Sequence, residues 1–355
     1  MDRATVLAHR LERQGLDRPA AGEEAYLRLV AALQPVAPVY FSRPGSPPRL
    51  VHRAAFDESR LADRWRARRA LVKGRFWGGN IGYVLAEDLA LYAAAFRRPL
   101  PRLSPLHEKI LRTLKYEGPL SPRQLAAESG MRHKELMPAL HRLQQAFLVY
   151  EDQEDDNWER PFGLFAAEWP EVDLEDLPWE EAAAEVVKRL LGSQVLLSAA
   201  QVCDWSQWPA RKVGLVLRGL EEAGEVKGIE VMGLGEGWLR AEDLGLAVRR
   251  PEHSVFMLHK ADPLVKSHQR QLKEEFPGEV LQYLLIDGEF KGAVCGHWRI
   301  GPHDVEDIAL HLAQAQHKAR RGAILEAVAA HYHPPNSQIR RYVGQVIGDI
   351  VLPAH

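Results

Sequence analysis

The densest group of residues that could bind another molecule is a basic run that ends near the first Gly-rich turn. It contains Arg64, Arg66, Arg68, Arg69, Lys73 and Arg75. Guanidinium and ammonium groups neutralise DNA phosphates and make binding steeply salt-dependent. The run is predicted to form a helix, in which Arg64 and Arg68 share one face, and Arg69 and Lys73 share another. Phosphate binding is one interpretation of this run, and a solvated helix face is the other.

A second basic pair frames a proline-rich turn, Arg43-Pro-Gly-Ser-Pro-Pro-Arg49. Five prolines between Gln34 and Arg53 exclude a helix there. Two guanidiniums on one rigid turn could hold DNA phosphates. The alternative is a rigid surface loop without a ligand.

The remaining reactive residue types predict neither a metal site nor a small-molecule cofactor. His331 and His333 are the closest histidine pair, but they lack cysteine or carboxylate neighbours at ligand spacing. Cys203 and Cys295 stand in hydrophobic contexts, which is typical of packing residues. The Gly-rich segments do not lie between a strand and a helix of a βαβ unit, so they are interpreted as turns.

Composition limits the kind of DNA contact that is possible. The 355 residues include 46 Lys and Arg against 48 Asp and Glu, a net charge of −2, so any DNA-binding surface must be a local patch. The charged N-terminus is unlike a signal peptide, and no apolar run reaches membrane-spanning length. With only two cysteines, the chain is predicted to be cytoplasmic and not membrane-bound.

The element that could position these residues is a pattern that occurs twice, 77 residues apart. Leu120-Ser121 recurs as Leu197-Ser198, and no gap is needed for the alignment. The other matched pairs are Leu114 and Leu191, Leu125 and Val202, Leu136 and Val213, Leu140 and Leu217, and Leu143 and Leu220. Each copy has the order of a winged helix-turn-helix: helix, capped second helix, long third helix, then a β-prone stretch.

The third helix of each copy is a candidate recognition helix. In the first copy, Arg132 and Lys134 lie mostly off the apolar stripe, and in the second Arg211 and Lys212 do so, together with Arg218. Either set could contact phosphates. Tandem winged helices can also act only as a scaffold. The acidic segment EDQEDDNWER at the first wing argues that one copy does not face DNA.

These elements predict an α+β chain, mostly helical, with tandem winged helix-turn-helix domains and a small C-terminal β-rich half-barrel. The predicted domains are 1–102, helical or winged-helix-like and expected to carry the active site; 103–170 and 171–250, winged helices; and 251–355, β-rich with C-terminal helices. Strands are predicted at 254–258, 280–286 and 290–300, with Asp287-Gly288 as a hairpin turn. A helix is predicted over 303–321, and another closes the chain.

Three segments resemble the winged-helix DNA glycosylases related to YcaQ and AlkZ. GRFWGGNIGYVLAEDLALY is similar to that family's basic–small–Gly–strand–Asp–Leu segment. VFMLHKADPLVKSHQRQL supplies an Asp, here Asp262, and an Arg eight residues later, Arg270. YLLIDGEFKGAVCGHWRI is similar to its hairpin with Asp287, Gly288 and Trp298. The resemblance runs from about residue 20 to 310.

The resemblance implies a monomer that binds double-stranded DNA in a basic channel. It also implies excision of alkylated or crosslinked purines without a lyase step. The family's catalytic motif is Gln–hydrophobic–Gln or Gln–hydrophobic–Asp, and Gln34 matches its first position. Val36 does not match the second, and Pro35 is an unusual middle residue.

A glutamine amide can orient a water, because it offers an acceptor and two donors. A second polar group must then replace Val36. Tyr40, Ser42, Arg43, His52 and Asp57 are candidates in the nearby sequence. The alternative interpretation of Gln34 is a helix C-terminal cap, and the alternative function is a non-catalytic DNA-binding or regulatory protein.

Overall fold

The computed structural model describes residues 1–39, 49–58, 60–152, 160–297, 304–332, 334 and 337–348. Arg43, Tyr40, Ser42, Trp298 and His333 lie outside the described residues, as does most of the acidic segment of the first predicted wing. Helix predominates over strand in a mixed α and β fold, which confirms the fold class at that coarse level. Within the described ranges, no helix is long and apolar enough to cross a membrane.

The N-terminal part combines four helices with one hairpin. Its elements are α1 (Arg3–Arg13), α2 (Glu23–Leu33), α3 (Leu61–Ala67), β1 (Leu71–Arg75), β2 (Ile81–Leu85) and α4 (Leu89–Phe96). The two strands pair antiparallel, with Lys73 opposite Tyr83. A 3-10 turn at Trp77–Gly79 connects them, and another at Ala86–Asp88 leads into α4.

The basic run does not form one helix, and this part of the sequence prediction is wrong. α3 ends at Ala67, and Arg69 adopts φ 57°, a left-handed conformation that breaks a helix. Leu71 and Val72 are then buried in a strand, where pairing with β2 outweighs helical propensity. Lys73 and Arg75 therefore lie on β1 and share no helix face with Arg64 or Arg69.

The order of three helices and a hairpin occurs twice. The first copy contains α5 (Pro105–Glu117), α6 (Pro122–Ser129), α7 (His133–Gln145), β3 (Val149–Glu151), β4 (Phe162–Leu164) and the short α8 (Phe165–Glu168). The second contains α9 (Trp179–Gln194), α10 (Ala199–Ser206), α11 (Ala210–Glu222), β5 (Val226–Val231) and β6 (Gly235–Arg240).

The two copies also match in detail. Ser121 and Ser198 each form a capping box, accepting from the backbone N–H of Gln124 and Gln201 respectively. Leu120 bridges to the second hairpin strand of its copy, and Leu197 does the same in the other. The matched apolar residues of the third helices are all buried, which confirms the core that the repeat predicted.

A six-stranded sheet forms the C-terminal part. Its strands are β7 (Val255–His259), β8 (Val280–Ile286), β9 (Glu289–Cys295), β10 (Asp307–Leu310), β11 (Arg341–Tyr342) and β12 (Gln345–Val346), in the order β12-β11-β10-β9-β8-β7. Three helices accompany it: α12 (Pro263–Ser267), α13 (Gln269–Glu275) and α14 (Gln314–Tyr332). Asp287 and Gly288 both adopt positive φ in the β8–β9 turn, as the hairpin signal predicted.

The C-terminal helix predictions need two corrections. Residues 307–310, predicted as helix, form β10, because Ile308 and Leu310 alternate inward and the strand pairs with β9. The helix starts at Gln314 and continues to Tyr332. In the described residues after it, two short strands follow and no further helix is present.

Helix α1 packs against the second copy and the C-terminal sheet. Its Leu11 joins the apolar core on one face of the C-terminal sheet, and its Val6 packs against the β5–β6 hairpin. The buried Arg10 donates hydrogen bonds to the carbonyls of Gln194 (2.9 Å) and Leu196 (2.8 Å). The first helix therefore connects the second copy to the sheet.

Candidate functional site

Gln34 lies at the C-terminal end of α2 and is 2% exposed. Its Oε1 accepts a hydrogen bond from the backbone N–H of Leu85 at 2.8 Å, and its Nε2 donates to Asp88 Oδ2. Val36 is buried, and its backbone exchanges two 2.8 Å hydrogen bonds with Tyr83. The β1–β2 hairpin thus holds Gln34 and Val36 together, and both ends of the Gln34 amide already have partners.

Asp88 is the residue that extends Gln34 into a polar network. Its Oδ1 accepts from Arg189 Nη1 at 2.8 Å, and Arg189 Nε donates to Glu185 Oε1 at 3.0 Å. Burial raises the pKa of Glu185, but hydrogen bonds from Arg189 and Lys188 outweigh it and hold the pKa below its ordinary value. The network therefore runs from a buried amide to a partly exposed guanidinium on α9.

Neither Asp88 nor Arg189 was among the predicted site residues. Asp88 belongs to the Asp-Leu pair of the segment that resembles the glycosylases, so a signal for it was present. Arg189 gave no signal, because it lies 101 residues from Asp88 along the chain. Among the other polar candidates, His52 already has a hydrogen-bond partner, because its Nε2 lies 3.0 Å from the carbonyl oxygen of Met257.

Most of the predicted phosphate ligands near the hairpin have internal partners. Arg49 pairs with Glu58 at 2.9 Å, Arg64 with Glu23 at 2.8 Å, and Arg69 with both Asp152 and Glu168. Arg75 donates to Gln144 and to the carbonyl of Gly79. Arg68 is exposed and has no ion pair within the parts of the chain that the structure describes.

Lys73 is the residue whose surroundings differ most from the predicted phosphate contact. Its side chain is 2% exposed, and Nζ lies 2.6 Å from Glu151 on β3. Burial lowers the pKa of Lys73, although the charge of Glu151 acts in the opposite direction. An ammonium in a buried ion pair is not available to a phosphate, so this placement argues against a DNA contact by Lys73.

The two candidate recognition helices have different surroundings. α7 packs against β1, and near its C-terminal end Gln144 bonds Arg75 and Glu151. Near its N-terminal end Arg132 pairs with Glu135, while Lys134 is exposed. The first copy is thus joined through this helix to the N-terminal hairpin.

Helix α11 presents an open face instead. Arg211 and Arg218 are exposed and, within the described ranges, have no ion-pair partner. Leu215, 52% exposed, lies between them. Lys212 Nζ lies 4.1 Å from the centroid of the Trp179 ring, a cation–π contact. Within the described residues, α11 therefore carries three basic side chains without an ion pair, Arg211, Lys212 and Arg218, and α7 carries two, Lys134 and Arg142.

The segment that contains Asp262 and Arg270 contacts both the N-terminal part, through Arg53, and α10 of the second copy. Asp262 caps α12, accepting from the N–H of Leu264 at 2.9 Å, and pairs with the fully buried Arg53. Arg270 donates to Asp204 on α10 at 2.9 Å. Lys266 lies 4.2 Å over the ring of Trp77, and burial lowers its pKa to about 8. In the described part of the chain, no group of three His, Cys, Asp or Glu could hold a metal.

Comparison with known proteins gives one family and one fold. The model of the family "DNA glycosylase AlkZ-like" matches residues 39–333. No curated protein sequence matches the chain. Among solved structures, the Streptomyces sahachiroi DNA glycosylase AlkZ is similar, with a TM-score of 0.70 over 97% of this chain and 100% of that one. At 15% identity this likeness shows a shared fold, and the matched family range begins after Gln34.

Proposed function

The chain belongs to the AlkZ-like DNA glycosylase family, and on that premise we propose that it removes damaged bases from double-stranded DNA. The proposed reaction is hydrolysis of the N-glycosidic bond of alkylated or crosslinked purines. The observation that carries the proposal is the family match over residues 39–333, which includes Asp88 and α11.

In the proposed complex with DNA, the two winged-helix copies have different tasks. In each copy, the residue that bridges to the hairpin (Leu120 or Leu197), the capped second helix and the hairpin itself follow one another in the order of that motif. The open face of α11 with Arg211 and Arg218 would contact the DNA backbone. The first copy, joined to the hairpin through α7, would serve as scaffold.

The proposed chemistry needs little from the protein. A cationic N-alkylated purine is a good leaving group, so excision needs a positioned water and stabilisation of positive charge on the sugar. Asp88 can do both, since each carboxylate oxygen accepts more than one hydrogen bond and its charge favours a developing cation. Gln34 and Arg189 would hold that carboxylate in place, making Gln34 a positioning residue.

Asp88 would thereby supply the polar group that Val36 lacks. The carboxylate side chain is 15% exposed, so a water can reach it, whereas the amide of Gln34 is enclosed. In this scheme the second motif position is replaced by a residue from the 3-10 turn that follows β2. The proposed active unit is therefore Asp88 together with Gln34.

A second candidate function has its own observation. Both ends of the Gln34 amide are occupied, and Val36 offers only backbone groups that are already paired. A protein with this arrangement could bind DNA or recognise damage without breaking the glycosidic bond.

A base-release assay on a duplex containing N7-methylguanine separates the two functions. We expect the wild type to release the base, and Asp88→Asn to lose activity by about 10²-fold or more while DNA binding is kept. Gln34→Ala should lose activity to a similar extent. The control is Gln314→Ala, which removes an exposed glutamine at the start of α14.

One outcome contradicts the enzyme, and another contradicts the role of Asp88. One is tight DNA binding by the wild type with no release from either alkylated or interstrand-crosslinked duplexes, which would establish the second candidate. The other is full activity in Asp88→Asn, which would remove Asp88 from the proposed chemistry.

A further inference from the structure

Residues of α10 and α13 line a groove in the part of the molecule next to the open face of α11. Its volume is about 570 Å³, within the range of small-ligand sites. Ala210, the first residue of α11, lies at its edge beside Arg211. A DNA strand held by α11 would therefore pass the mouth of this groove.

The groove combines three kinds of surface. Trp208 and the small side chains of Ala199 and Ala200 form an apolar part. Gln207 and Gln269 bring side-chain amides. Lys273 brings positive charge and has no ion pair within the described residues, whereas Arg270 is paired with Asp204, whose carboxylate also lines the groove.

The apolar part is rigid. The ring centroid of Trp208 lies 5.2 Å from that of Phe96 and 5.4 Å from that of Trp179, so neighbouring rings hold it on two sides. The Arg270 guanidinium is likewise fixed, by Asp204 at 2.9 Å, and the backbone N–H of Arg270 donates to the same carboxylate at 3.0 Å. Fixed groups lose little conformational freedom when a ligand binds.

These surfaces match the parts of one nucleotide. A base stacks on an aromatic or apolar surface, amides bond its polar edge, and cations hold its phosphate. A base still paired in the duplex has its faces covered by its neighbours and cannot use such a surface. The chemistry of the groove thus fits a nucleotide that has left the stack.

We propose that the groove between α10 and α13 binds an unpaired nucleotide of DNA, with its base against Trp208 and its phosphate near Lys273. This inference rests on the proposed DNA binding, but it does not depend on Asp88 or on base release. It assigns the second copy a role beyond holding the duplex backbone.

Cys203 gives a direct test, because it lines the groove and only one other cysteine is present. In a Cys295→Ser protein, Cys203 is the single thiol. Its alkylation by iodoacetamide would be followed at mildly alkaline pH, since burial raises the pKa of the thiol. The rate is measured with no DNA, with a perfect duplex, and with the same duplex carrying one unpaired nucleotide, each at saturation by fluorescence anisotropy.

We expect the bulged duplex to slow alkylation by tenfold or more and the perfect duplex to slow it by less than twofold. Ala200→Trp, which fills the groove, should remove the preference for bulged over perfect duplex and keep binding to the perfect one. The matched control is Ala127→Trp, an exposed alanine on the equivalent helix α6 of the first copy.

Equal protection by the two duplexes, or none while anisotropy shows binding, overturns the inference and leaves the proposed DNA binding standing. Retention of the bulge preference in Ala200→Trp overturns it as well. Absence of binding to every duplex would instead contradict the proposed function itself, and the inference with it.

Discussion

The buried ion pair between Arg53 and Asp262 makes the sharpest stability prediction. Arg53 is 0% exposed and Asp262 4%, and two hydrogen bonds of 2.6 and 3.1 Å join the guanidinium to both carboxylate oxygens. Arg53 also bonds the carbonyl and side chain of Gln14. The pair links the segment after the proline-rich turn to the start of α12.

Asp262→Ala leaves the Arg53 charge buried without a counter-ion. Breaking one side of a buried pair costs about 3–5 kcal/mol. Loss of the N-terminal cap on α12 adds about 1 kcal/mol. Asp262→Asn keeps an oxygen that can cap Leu264, so we expect it to cost about 1 kcal/mol less than the alanine variant.

The assay is denaturant unfolding followed by tryptophan fluorescence. The matched control is Glu24→Ala, which removes the exposed pair with Arg28 and should change the free energy of unfolding by at most about 0.5 kcal/mol. A double variant, Arg53→Met with Asp262→Leu, should recover much of the loss, since it leaves no unpaired charge. The reasoning is refuted if Asp262→Ala costs no more than Glu24→Ala, or if the double variant is no more stable than Asp262→Ala.

Two further predictions concern salt and pH. Arg211→Ala and Arg218→Ala should each reduce the slope of log affinity for DNA against log salt by about one. The control is Arg64→Ala, which removes an ion-paired arginine and should leave the slope unchanged. Equal slopes in all variants would contradict the α11 assignment. Burial lowers the pKa of His259 and of His268 from 6.5 to about 4, so the unfolded chain takes up these protons first as pH falls. The free energy of unfolding should therefore drop between pH 6.5 and 4 by on the order of 1 kcal/mol per pH unit for each imidazole. His259→Asn should flatten that dependence, and an unchanged slope would show that His259 is solvated in the native state; exposed His133→Asn is the control.

The repeat shows how much of the fold local sequence specifies. The apolar spacing predicted the buried stripe of each third helix, and Ser121 and Ser198 predicted where each second helix begins. Both signals are local, because capping and helical periodicity depend on neighbours within a few residues. The same holds for the Asp287-Gly288 hairpin turn.

The errors have a common origin. The basic run was assigned to one helix because charge and helical spacing are local, but pairing with β2 placed Lys73 and Arg75 on a strand. Residues 307–310 became β10 for a similar reason, through pairing with β9. Strand pairing joins distant segments, so one segment read alone does not reveal it.

For the candidate site, the sequence by itself determined the presence of Gln34, the absence of a polar residue at Val36, and a supply of basic side chains. Only the tertiary structure decided which of them are available. Glu23, Glu151 and Glu168 neutralise arginines and a lysine 41 to 99 residues away, and Asp88 joins Gln34 to Arg189 from a different part of the chain. A charge acts on a ligand only if it is not already paired and desolvated, and that depends on neighbours in space, which spacing along the chain does not specify.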